Sequence, residues 1–431
     1  ESLSKIFAGS TIDKYFSSEV NYLKDKILLS LFNHNMSNSK RNQIQRGILI
    51  VEVLAAKGFR KEALKKLKAI KKSAIKQEEF MWILRLIELE EIILFKEGII
   101  GYRLTLETLH KERKEVTRTI ENLNEYHILR QELRELQFSD QMFTSPVNFL
   151  KTLSSDPLIL DSHNCMSIKA KEHWFYIQVL ANYLKRNFES GLMAASQHAS
   201  FIFENNHLFA INKVLPVLSN YMYHAALTRS ENHFLKAKSL LKDLASKKGV
   251  SQFYLKYIIY TRTLEFAYYT GNTNLSEQYL EFANELLQDH AANFEESQIQ
   301  YLFMLVVRAE IELGRIVIGM KQCNLWQRRG ILPYRKVQAR LFSLMINFEL
   351  NHFQLISSEI VLLKKLQRVY VREKGIIEIF YVFFKSILKN PEMRTELITR
   401  LQQDLYRMSI EKFNYFDFIS FDYHKWSLRL N

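Results

Sequence analysis

Glycine and proline are scarce in this chain, at 12 and 5 of 431 residues. So low a supply of turn formers excludes a fold of many short strands joined by tight turns. Cysteine is scarcer still, with Cys165 and Cys323 alone. One bridge could join them, but a secreted disulfide framework needs more; two reduced thiols in a cytoplasmic protein are the expectation. Long apolar runs are missing as well: Tyr301–Val307 stops at Arg308 and Ile379–Phe384 at Lys385, well short of the roughly 20 residues of a membrane span. No signal peptide is visible, and the chain opens at Glu1 rather than Met, which leaves room for an upstream segment.

Catalytic motifs are lacking too. No HExxH, GxSxG, Walker loop or GxGxxG occurs. His163, Cys165 and His173 come nearest to a metal cluster, but zinc wants four ligands at tight spacing, and a loop-to-helix surface segment accounts for them. Glu88, Glu90 and Glu91 are neighbours in sequence, whereas the paired acids of glycosidic chemistry face each other across a cleft; a solvated helix face accounts for these. No catalytic residue, metal or cofactor is assigned, and the chain is expected not to be an enzyme.

What is present is helix. Hydrophobic residues make up 47% and aromatics 13% of the chain, ample for a large core, and they recur with a 3.6-residue period. The fold class is therefore all-α. The stretch Ser251–His290 shows how. Tyr257, Tyr260, Leu264 and Ala267 share one helix face, Gly271 supplies a left-handed stop, and Asn274 with Glu277 reads as a capping box for the next helix. That helix carries the rows Leu275, Tyr279, Phe282, Leu286 and Ser276, Leu280, Ala283, Leu287. A loop of about three residues makes the two helices antiparallel neighbours. Gly271, Ser276, Leu280 and Ala283, with Leu264 and Ala267 upstream, resemble the tetratricopeptide (TPR) repeat, without that motif's early Trp or closing Pro.

Further turns fall at Asn187, Arg229, Gly314, Asn351 and Asn390, at intervals of 37 to 43 residues. Even spacing of this kind means stacked helical hairpins. Gly58, Ala63 and Leu67 repeat the spacing after Gly271. The expected organisation is an N-terminal helical region over 1–137, an irregular joint with short helices over 138–166, and a solenoid over 167–431 ending in an aromatic capping helix at 411–431. Within the first region the polar stretch 33–42 is expected as a loop, and the long helical stretch Thr105–Gln137 is expected to break near Asn122–Asn124. The stretch YRKVQARLFSLMINFELNHFQLISSEIVLLKKLQRVYVREK, with the closing FNYFDFISFDYHKW, resembles a group of large all-helical TPR-like proteins of Bacteroidetes-type bacteria. That resemblance implies a right-handed α-α superhelix and no activity.

Two surfaces stand out. Residues 57–76 hold nine Lys or Arg and one acid. Lys61, Lys65, Lys68, Lys72 and Lys76 form one stripe, opposite Ala63, Leu67, Ile70 and Ala74. With a net charge of +14, this stripe is an electrostatic footprint for nucleic acid or another anionic partner, or else a solvated lysine face. In TPR-like solenoids the first helices of successive pairs line a concave, peptide-binding face. By register that resemblance picks out Asn220, Tyr223, Arg262, Glu265, Tyr268, Tyr301 and Arg308 as a peptide-binding groove. The leading expectation is a scaffold for a peptide or protein partner, with nucleic acid as the alternative.

Overall fold

The computed structural model describes residues 11–38, 40–97, 102–138, 156–245, 250–332, 335–367, 374–410 and 421–430. Among them every regular element is helical and none is a strand. The chain divides into two compact units, Glu1–Ile128 with Ser162–His173, and Leu129–Asp161 with Trp174–Asn431. No described helix is long and apolar enough to cross a membrane.

The first unit is built from α1 (Thr11–Asn38), α2 (Lys40–Ala56), α3 (Arg60–Lys76), α4 (Phe80–Glu97) and the leading part of α5 (Tyr102–Phe138). Its core joins Ile44, Ile48 and Val51 to Ala63, Leu67, Ile70 and Ala74 and to Ile83, Leu86 and Ile87. The apolar row expected on α3 is thus the buried one. α2 and α3 approach so closely at Gly47 that a Cβ there would lie 2.7 Å from Ile70 Cδ1. Gly58 ends the α2 hairpin at φ +86°, the left-handed conformation that glycine adopts without strain.

Three expectations fail in this unit. The polar stretch 33–42 is not a loop: α1 runs to Asn38 and α2 starts at Lys40. α5 does not break near Asn122–Asn124 but continues for 37 residues. The Asn122 amide is used across the fold instead, donating to Asn164 O at 3.1 Å and accepting from Met166 N at 2.9 Å. Satisfied in this way, it does not compete with the helix backbone. Nor are the acids of α4 a solvated face. Glu90 is buried and holds Lys71 of α3 at 2.9 Å, while Glu91 holds Arg113 of α5 at 2.6 Å. Glu88 alone lies outward, beside Arg85 on its own helix.

The second unit carries a succession of hairpins. Its pairs are α7 (Ile168–Leu184, in this unit from Trp174 onward) with α8 (Phe188–Glu204), α9 (Ile211–Leu227) with α10 (Glu231–Ala245), and α11 (Gln252–Thr270) with α12 (Thr273–Asp289). Then come α13 (Glu296–Glu312) with α14 (Ile316–Arg329), α15 (Lys336–Glu349) with α16 (Phe353–Gln367), and α17 (Lys374–Lys389) with α18 (Arg394–Ile410). Before them, the four-residue α6 (Pro157–Leu160) starts as expected, with Asp156 accepting from Leu158 N and Pro157 in the first turn. Most of the expected joint at 138–166 lies outside the described residues.

The turns fall where the spacing put them. Arg186, Arg229, Gly271, Gly314 and Asn351 all take positive φ, between 55° and 71°. At four of the five junctions between successive pairs a hydrogen bond spans about one period: Tyr183 to Tyr223, Lys238 to Tyr279, Gln322 to Asn284, and Arg394 to Asn351. The α12 cap differs from expectation: Asn272, two residues before Asn274, accepts from Leu275 N at 3.0 Å. Glu277 is left to pair with Arg315 of the following hairpin. Of the two rows on α12, Ser276, Leu280, Ala283 and Leu286 are buried, while Tyr279 and Phe282 pack against Tyr260.

The tightest approach in this stack lies at Gly191 of α8, where a Cβ would stand 2.8 Å from the buried His224 ring of α9. Alanine gains about 1 kcal/mol over glycine inside a helix, but overpacking of a fixed ring costs more. Gly191→Ala is expected to destabilise the fold by about 1–2 kcal/mol in urea denaturation. Gly319→Ala, whose nearest neighbour would sit at 3.4 Å, is expected to be neutral or to stabilise by up to about 1 kcal/mol.

Candidate functional site

The first helices of successive pairs, α7, α9, α11 and α13, lie side by side, and their inward polar residues meet. Arg262 of α11 is the hub. Its Nε donates to Ser219 Oγ of α9 at 2.9 Å, and its Nη1 donates to Glu265 Oε2 at 2.6 Å and to the Tyr301 hydroxyl of α13 at 3.4 Å. The Tyr301 hydroxyl donates in turn to the second oxygen of Glu265. The guanidinium lies over the Tyr223 ring, 5.0 Å from its centre. Burial works against its charge, but Glu265 and Tyr301 outweigh that and hold the guanidinium firmly protonated.

Six of the seven expected groove residues are therefore tied into this face. Tyr223, Arg262, Glu265 and Tyr301 form one cluster. Arg308 stacks on Tyr268 at 4.0 Å next to it, toward the C-terminal ends of the same helices. Asn220 is half-buried on α9, and no hydrogen bond joins it to the cluster among the described residues.

The cluster is lined by phenols. Tyr223, Tyr269 and Tyr301 each keep some solvent access, yet burial, reinforced by neighbouring phenols or Glu265, pushes their hydroxyls above the ordinary tyrosine range. They stay neutral and able both to donate and to accept. The Arg335 guanidinium covers the Tyr301 ring from a further helix pair, at 5.2 Å.

One occupant of this face was missed in the sequence. Residues 421–430 pack on the last hairpin, as a cap would, with Gln402 Nε2 of α18 donating to Ser427 O at 3.0 Å and Tyr406 meeting His424, but they also reach well beyond it. They form the short α19 (Tyr423–Ser427) and a final 3-10 turn, laid back across the first helices. The Asp422 backbone N–H donates to the Tyr268 hydroxyl, 154 residues away. Trp426 Nε1 donates to Glu349 Oε1 of α15 at 2.6 Å, and Arg429 Nη1 donates to the last carbonyls of α13, Ile311 O at 3.0 Å and Glu312 O at 3.2 Å. Phe421 meets Phe342, and Tyr423 and Trp426 meet Phe380. All three aromatics of this tail are at most 1% exposed. Residues 411–420 lie outside the described residues.

Tyr183, Ser219, His224, Tyr269 and Arg335 were missed too. Their signal was the repeat itself: Ser219 and Arg262 stand 43 residues apart, and Arg262 and Tyr301 stand 39 apart, one hairpin in each case. On α3, in the first unit, all five lysines of the expected stripe are exposed. None of them makes an ion pair among the described residues, whereas Lys71 turns inward to Glu90 and Glu112. Among the described residues no group of three or more His, Cys, Asp or Glu is placed to hold a metal.

No family model matches the chain, and no curated protein and no solved structure matches it. Fold and face define its class: an all-α protein of packed antiparallel helix pairs, compatible with a helical repeat.

His224 offers a probe of the face. Burial, and then the charge of Arg262, lower its imidazole from 6.5 to about 4. The unfolded chain therefore takes up this proton first as pH falls. The group's contribution is whole above pH 6.5 and is lost between 6.5 and 4, a fall of about 3 kcal/mol. Urea denaturation across that window is expected to show this loss in the unaltered chain and a flatter profile in His224→Gln.

Proposed function

We propose that the chain is a non-enzymatic, TPR-like scaffold, a right-handed α-α superhelix whose first helices line a groove that binds a peptide or protein segment. The observation that carries this reading is that one segment of the chain, residues 421–430, already lies on that face with Phe421, Tyr423 and Trp426 buried. A surface that holds a short segment through a tyrosine hydroxyl on its backbone, aromatic seats and helix-end carbonyls has the chemistry of peptide recognition. Tyrosines suit the task because they give large contact area and hydrogen bonding with few rotatable bonds. A cytoplasmic setting belongs to the same reading and is supported by two unbridged thiols.

A random-peptide display selection on the whole chain is expected to enrich binders whose affinity drops at least about tenfold in Tyr223→Ala, with helix content unchanged by circular dichroism. Binders indifferent to that change, or none at all, would remove the reading.

The unpaired lysine face of α3 favours a second reading, nucleic-acid binding by a separate surface. A site using most of the five lysines predicts a log–log salt slope of about −4 for a duplex DNA probe. Combined Lys65→Glu, Lys68→Glu and Lys72→Glu should abolish that binding; unaltered affinity in the triple variant sinks this alternative.

A further inference from the structure

Residues 18–31 of α1 are all exposed, and no other described helix leaves a stretch of that length uncovered. The stretch is far from polar. Val20, Leu23, Ile27 and Leu31 fall at i, i+3, i+7 and i+11, on one side of the helix, and Tyr22 and Leu29 fall on the opposite side. All six stand between 45% and 59% exposed.

A helix with apolar residues on opposite sides belongs in an interior, and a helix without packing partners is marginal in water. Among the described residues nothing supplies that interior. Lys26 of the same helix lies 5.2 Å from the centre of the Tyr22 ring. α1 adjoins α2, but α2 turns apolar residues of its own outward at Leu49, Ile50 and Val53. Two neighbouring helices of the first unit thus show apolar surface where the rest of the unit buries it.

Area and charge together choose the occupant. The half-exposed apolar residues of α1 and α2 amount to something on the order of 800 Å², the share that each partner of a standard-size interface covers. Within residues 18–31, Glu19 and Asp25 offset Lys24 and Lys26, so the stretch has no net charge in a chain of +14. A charged partner has no field to read there. A second copy, repelled by the lysine face of α3 and by the net charge, can approach at this neutral side. The same patch on both copies closes a two-fold pair and leaves no further apolar edge.

We infer that two copies of this chain associate through α1, the side of Val20, Leu23, Ile27 and Leu31 in one copy lying against the same side in the other, with the outward residues of α2 at its border. The product is a helix bundle between copies. This surface belongs to the first unit and is independent of the groove reading.

Sedimentation equilibrium of the whole chain at about 1–100 µM is expected to show a monomer–dimer equilibrium that persists in 0.5 M salt, about the strength at which charge-driven contacts are screened within a few ångströms. Leu23→Glu with Ile27→Glu should weaken it at least about hundredfold with helix content unchanged, because both side chains are exposed in the single copy. Val317→Glu, at an equally exposed apolar site of the second unit, should leave it unaltered. A second readout needs no variant: copies with and without ¹⁵N, mixed and treated with a lysine-reactive cross-linker, should give mixed-isotope links among Lys24 and Lys26. A chain that stays monomeric throughout, which would leave α1 to a different protein, overturns the inference. So does a dimer indifferent to the paired glutamates, or one without those mixed links.

Discussion

Arg262 is the side chain on which three successive helix pairs converge. It is four-fifths covered and draws Ser219 from the pair before, Glu265 from its own helix and Tyr301 from the pair after. A buried charge left without its partners costs several kcal/mol, so each helix must present its polar residue at the right height for its neighbours. Apolar stripes alone set no such register, because a hydrophobic surface accepts many slides of one helix along another. The polar knot therefore acts as a registry pin between hairpins that none could supply alone. It also explains why tyrosines rather than aliphatic residues line this face: a phenol covers the guanidinium plane with its ring and closes the hydrogen-bond circuit with its hydroxyl.

The hairpins were legible in the sequence because their causes are local. A left-handed residue every 37 to 43 positions follows from short loops between antiparallel helices, and the structure puts positive φ at Gly271, Gly314, Arg229 and Asn351 as that spacing requires. The failures are equally physical. Asn122 looked like a helix breaker because asparagine competes for backbone groups in isolation, yet its amide is spent on Asn164 and Met166, over 40 residues away. Glu90 and Glu91 looked solvated because they are acids in a charged run; their partners on α3 and α5 are distant in sequence and turn them inward. The expected groove residues came from register, and the packing of the first helices brings six of the seven onto one face. The tail did not come from register, because its contacts to Tyr268 and Ile311 have separations of 154 and 118 residues and share no period with the repeats.

The net charge of +14 is spent in two physically different ways. Outward lysines such as Lys65 and Lys68 are exposed and make no ion pair among the described residues, and in solvent charges at a Debye length are already screened; they can contribute a diffuse field but little orientation. Inward arginines such as Arg262, Arg308 and Arg335 lie on aromatic faces, Arg262 is forked toward Ser219, Glu265 and Tyr301, and it is geometry that makes a cation selective. A ligand drawn to the lysine face would be chosen by its charge density, and one held by the arginine face by where its carboxylate and carbonyls fall. The tail sits on the second kind of face, with its Asp422 N–H on Tyr268 and its Arg429 on the last carbonyls of α13.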